Sequence, residues 1–221
     1  MDQGSGYGLA SSPPRGARIK LFALAFCALL SLNASAFNLA LQPQEVEEAY
    51  SLGQTSNHED LADFLNQYEH DFKPTTDNSV AFVTSVEFQT PYEQIVLRSL
   101  QKIHYSKFQA EEDYQANPGL VIVRVIVSLK TGYSGPAPPA NSFNVAVSQG
   151  KPIEPRKVTR KVICDPFDPL ENSTYANCIA YTREILLQFD AEEFTPGRAT
   201  VQVALPSGKS LETKYNLDKL K

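Results

Sequence analysis

The chain contains no tryptophan, a single methionine, three histidines and three cysteines. Each scarcity removes a class of function. His58, His70 and His104 stand far apart, and none joins a C-x-x-C or H-x-x-x-H spacing, so a zinc site has no ligand set to draw on. The sequence has no G-x-S-x-G nucleophile elbow and no H-E-x-x-H pair, so no familiar hydrolase or metalloprotease pattern is present. Positive charge is also short: 20 Lys and Arg stand against 25 Asp and Glu, a net charge of −5. That balance speaks against nucleic acid as a partner, because such proteins carry a basic face. Ser207-Gly208-Lys209-Ser210 is similar to the end of a phosphate loop. The glycine needed five residues before Gly208 is Val203, so the stretch reads as a hairpin turn.

Long apolar runs are missing as well, with one exception near the front. Arg15, Arg18 and Lys20 precede an apolar run from Leu21 to Leu32, followed by Ala34-Ser35-Ala36. A basic start, a short apolar run and small residues at the cleavage positions define a secretory signal. The run is shorter than the ~20 residues that cross a bilayer. Residues 1–36 are therefore expected to be a signal peptide cleaved after Ala36, giving a secreted or periplasmic protein with no membrane contact after cleavage. Cys27 follows Phe26 inside the run, which does not suit lipidation. The leader before Leu21 is long, which leaves room for a start further along at a non-Met codon. Without residues 1–36 the chain keeps 17 basic and 24 acidic residues, a charge of −7.

Cleavage leaves two cysteines, Cys164 and Cys178. An even pair in an oxidising compartment is expected to form a disulfide. It would close a 15-residue loop, worth ~3 kcal/mol in the chain-entropy account. The loop carries Asp165, Asp168 and Glu171, hard oxygen ligands that a calcium ion could use. Their spacing by three, with Pro166 and Pro169 between and no glycine, departs from a calcium loop of the hand type. The favoured reading is a solvated, proline-stiffened turn. Asn172-Ser173-Thr174 is a formal glycosylation acceptor.

The remaining chain divides by period. Residues 37–77 are expected to hold two short helices. Pro43 opens the first, with Val46, Ala49 and Tyr50 on one face before Gly53. Ser56 and Glu59 have capping-box spacing before Leu61, Phe64, Leu65 and Tyr68, which share an apolar stripe. Residues 78–221 are expected to form a β domain. Val80 to Phe88 alternates with period two. Thr90-Pro91 opens a further helix with Glu93 completing a capping box. Leu120–Leu129 is a strand apolar at nearly every position, which requires burial on both faces or a cover on one. A proline-rich loop with Pro136 and Pro139 follows. Strands are then expected at 143–148, 157–164, 180–189, 199–205 and 210–217. About six to seven short strands between turn signals indicate a mainly β fold, an immunoglobulin-like antiparallel β-sandwich with short N-terminal helices. The long spacing between cysteines and the Trp of true immunoglobulin domains are both missing.

Three stretches, "VEEAYSLGQTS", "TPYEQIVLRS" and "PSGKSLETKYNLDKL", resemble segments of uncharacterised exported bacterial proteins with an immunoglobulin-like β-sandwich domain. The resemblance implies the sandwich and export, and it attaches no activity, cofactor or catalytic residue to any position. Taken together, these readings favour a non-catalytic exported domain that binds a protein, a glycan or an envelope component. A calcium-stabilised surface module and an enzyme whose site is assembled only by folding are the alternatives. A pocket pairing His104 with a carboxylate would favour the enzyme.

Overall fold

The computed structural model describes residues 40–73, 80–129, 140–164 and 181–221, all within one compact unit spanning Ala36–Lys221. Nine strands lie in two antiparallel sheets among these residues. One sheet orders β1 (Glu69–Asp71), β2 (Ala81–Gln89), β3 (Leu120–Leu129), β7 (Tyr181–Asp190) and β6 (Lys157–Cys164). The other orders β5 (Lys151–Ile153), β4 (Asn144–Gln149), β8 (Arg198–Ala204) and β9 (Ser210–Asn216). The fold is mainly β, as the sequence indicates.

A single apolar core joins the sheets. Val121, Val123, Val125 and Val127 of β3, Ile185, Leu187 and Phe189 of β7, and Val201 and Val203 of β8 belong to it, each no more than 2 % exposed. Branched side chains suit this half-buried pleated surface, and each buried side chain of this size contributes about 1.5–3 kcal/mol. Aromatic rings also pack in this core. Phe88 packs edge-on to Phe194 at 5.3 Å and lies 5.3 Å from Tyr215. The Tyr215 hydroxyl donates to the Val86 carbonyl at 2.6 Å, a bond running from β9 to β2 and so from sheet to sheet.

The alternation expected over Val80–Phe88 is broken in its middle. The β2–β3 register shifts between Val83 and Ser85, so Ala81 and Val83 face the core before the shift, and Val86 and Phe88 after it. An inserted residue changes the phase of a strand whose side chains alternate. Here it is Thr84, whose hydroxyl donates to the Ile126 carbonyl at 3.1 Å. The shift sends Glu87 away from the core.

Four helices are described. α1 (Pro43–Gly53) and α2 (His58–Leu65) precede the sheets, and α3 (Pro91–Gln101) and α4 (Lys107–Ala116) connect β2 to β3. They build a second apolar cluster from Val46, Ala49, Leu61, Tyr92, Ile95, Val96 and Ala110. Phe64 packs against both clusters. Two capping expectations change. α2 is capped by Asn57, whose side chain accepts from the Asp60 amide, and not by Ser56. At α3, Thr90 accepts from the Glu93 amide, yet the Glu93 carboxyl is turned inward and returns no bond. The β8–β9 hairpin is as expected, with Gly208 at φ +81° and the Leu205 amide bonded to the Lys209 carbonyl at 2.8 Å. No helix among the described residues is long and apolar enough to cross a membrane.

Candidate functional site

A sheet ends in strands whose outer backbone groups have no partner, and such edges template pairing with another chain. Two of the four sheet edges, β1 and β5, are three residues long. On the third, β9, the apolar side chains turn inward: Tyr215 is 2 % exposed, while Glu212 and Lys214 pair at 3.0 Å on the outside. β6 differs. It is eight residues long, pairs only with β7 among the described strands, and keeps Val158, Val162 and Ile163 at 39, 50 and 38 % exposure.

Register explains that exposure. Val158, Arg160 and Val162 stand opposite Leu187, Ile185 and Arg183. Directly opposed residues share a face, and Ile185 and Leu187 fix that face as the inner one. The inner side of β6 therefore overhangs the core. On the outer side Lys157, Thr159, Lys161 and Ile163 stand opposite Gln188, Leu186, Glu184 and Thr182. Lys157, Arg160 and Lys161 are exposed, and the strand has no acidic residue. Glu184, the carboxylate opposite Lys161, is held by Arg124 at 2.7 Å. The Arg183 Nε is buried without a hydrogen-bond partner. The edge is thus apolar, basic and not neutralised from within the sheet. Neighbouring Arg156, just before the strand, is engaged with Asp190 at 2.6 Å.

A second cluster lies where β2 enters α3. The Glu87 carboxylate accepts from Gln89 at 2.7 Å and from Arg124 at 3.4 Å. Burial raises its pKa, and the Arg124 charge opposes that rise. Glu93 is fully buried with no donor reaching either carboxyl oxygen. Burial first, then repulsion from Glu87, a proton shared toward the Glu87 carboxylate and repulsion from Glu69, hold its pKa well above the ordinary 4.5.

His104 does share a concavity with a carboxylate, a shallow one of about 360 Å³ that includes Tyr105, Gln109 and Asp113. Asp113 is already committed. It meets Arg98 at 3.1 Å, Lys102 at 3.3 Å and the Tyr105 hydroxyl at 3.0 Å. Burial alone would raise its pKa, but these partners hold it below its ordinary value. His104 is an exposed turn residue at φ +63° and makes no bond to Asp113. A base needs its orienting carboxylate within hydrogen-bond reach, so these two do not form a dyad. His58 and His70 are exposed, the latter with its ring 5.0 Å from that of Tyr215.

Of the residues singled out in sequence, Cys164 closes β6. Cys178, Asp165, Asp168, Glu171 and Asn172 lie outside the described residues, as do Pro136 and Pro139. Among the described residues no group of three His, Cys, Asp or Glu side chains converges as a metal site would. The β6 edge was legible as a strand, but its place at a sheet edge depends on pairing. No protein-family model matches the chain, and no curated protein matches it.

Proposed function

We propose that this chain is a non-catalytic exported binding module, an immunoglobulin-like sandwich that engages a protein partner by strand addition at β6. One observation carries the reading: the longest edge strand among the described residues has no described strand on its outer side and keeps three exposed apolar side chains. Strand addition draws affinity from main-chain hydrogen bonds and specificity from alternate side chains, and both elements are available here. The immunoglobulin-like assignment is supported by antiparallel sheets of five and four strands around one core. Export is supported by the pattern of residues 15–36.

The test uses the full chain and a displayed library of random ten-residue peptides. Selected peptides should slow amide hydrogen exchange across residues 157–163 and leave 210–216 unchanged. A library that yields no binder, or binders that protect other segments only, overturns the reading. A transition temperature that climbs several degrees in millimolar calcium would instead favour the calcium-stabilised module.

A further inference from the structure

The next step rests on strand addition at β6 and names its occupant. A second copy of the chain is the simplest partner for an open edge. Two β6 strands paired antiparallel about Thr159 would set Lys157 of each opposite Lys161 of the other on the outer face. Like charges directly opposite destabilise a strand pair, so this edge works against self-pairing. Lysines are also used to protect edges from aggregation. Protection alone leaves Val158 and Val162 without a purpose, since a guarded edge has no need of apolar side chains at 39 and 50 % exposure.

We infer that β6 takes an extended, acidic segment of a different protein, with carboxylates on one face and apolar side chains on the other. Lys157 and Lys161 share the outer face, four residues apart, a span of about 13 Å along a strand. A partner strand with Asp or Glu at positions i and i+4 places one carboxylate opposite each. On its other face one intervening position then lies over Val158, and the position just beyond the carboxylate opposite Lys161 lies over Val162. Arg160, between the two valines, offers a further contact to an acidic or hydroxylated residue there. The same charges that exclude a second copy attract this segment, so attraction and exclusion come from one set of residues.

Three synthetic ten-residue peptides test the assignment. They share alternate valines and threonines and differ in carrying Glu, Gln or Lys at the outward positions i and i+4. Binding to the full chain is read by fluorescence anisotropy at low and at physiological salt. The acidic peptide should bind about tenfold more tightly than the neutral one, from two opposed charge pairs. The gap should narrow with salt, and the basic peptide should not bind. In the Lys157→Glu/Lys161→Glu protein the order should invert. Lys157→Gln/Lys161→Gln, which places no like charges side by side, should abolish the preference without inverting it. Equal binding of acidic and neutral peptides overturns the acidic occupant while strand addition stands. Acidic binding unaffected by both double variants places the peptide elsewhere and overturns the assignment. Binding that emerges only once Asp165, Asp168 and Glu171 are neutralised gives the edge to the chain's own acidic stretch, and overturns it too. If none of the three binds while library-selected peptides still protect 157–163, this inference fails alone. If no library peptide protects β6, the strand-addition reading itself has failed.

Discussion

Both carboxyl oxygens of Glu93 are buried with no donor reaching them, three residues into α3, where sequence spacing predicts a bond back to the cap. A charge in that position would be costly, so the group stays protonated well above pH 4.5. The consequence for stability has a definite sign. A carboxyl with a raised folded pKa binds its proton more tightly in the native state. Its contribution is therefore complete below 4.5 and is lost as pH rises through the folded value. Glu87 shifts in the same direction for the same first cause, burial, tempered by Arg124. Glu93→Gln should leave stability at pH 4 near that of the parent and raise it at pH 8, where the buried carboxyl of the parent resists ionisation. Denaturant titration at the two pH values checks this, and an equal loss at both would mean that the carboxyl serves through a bond instead of a proton. Gly53 makes the opposite point about a missing atom. A Cβ there would press on the Val96 carbonyl and stand 2.7 Å from Ser99 Cβ, where α1 crosses α3. Gly53→Ala should cost about 1–3 kcal/mol by overpacking, seen as a lowered melting temperature; an unchanged one would show that the helices can part without penalty.

Elements whose signal is local were legible. Pro43 and Gly53 bound α1, and the branched runs at 120–129 and 157–164 became β3 and β6 at the expected limits. What was not legible depends on neighbours. The Thr84 shift exists only because β2 pairs with β3, and it reverses which half of an alternating strand is core. α4 carries a capping box between Ser106 and Gln109, but its apolar side is reduced to Ala110 and the half-buried Tyr114, with Phe108 left 66 % exposed. An apolar stripe of two residues gives periodicity little to find. β1 and β5 are three residues each, too short for a period. The edge status of β6 was hidden for the same reason, since Val158 and Val162 look like core residues until the sheet is counted. That strand also carries the disulfide expectation, because Cys164 is its last residue. If Cys164 and Cys178 are bonded, Cys164→Ser should lower stability by ~2–4 kcal/mol through the unfolded chain. Mass spectrometry of unreduced, alkylated native protein should show no modified thiol in 164–178, and two modified thiols would remove the staple.

At the scale of the whole molecule, two apolar clusters have to behave as one protein. The sandwich core and the helical cluster meet at few points. Phe64 packs on both, with its ring 4.9 Å from that of Tyr68 and 5.7 Å from that of Tyr92. Gln94 of α3 donates to the Leu120 carbonyl at 2.6 Å, at the start of β3. The Lys221 carbonyl accepts from both Tyr68 and Thr90. Tyr68 is itself in the sandwich core, and Thr90 caps α3, so one backbone group is held by both layers. Cooperative unfolding requires that coupling of this kind exceed the difference in stability between the parts. The parent should therefore unfold in a single transition, with far-ultraviolet circular dichroism and tyrosine fluorescence giving the same midpoint. Phe64→Ala removes the ring common to both clusters. It should cost about 2–4 kcal/mol, toward the lower part of the range for aromatic truncation because the site is only half-buried. Its more telling effect should be on hydrogen exchange. Amides of α1 and α3 should open at lower free energy than those of β3, which in the parent exchange with the global transition. If the two sets remain equal in the variant, the coupling runs through Lys221 and Gln94 instead. If the parent already shows two midpoints, the helices and the sandwich are separate cooperative units despite their shared contacts.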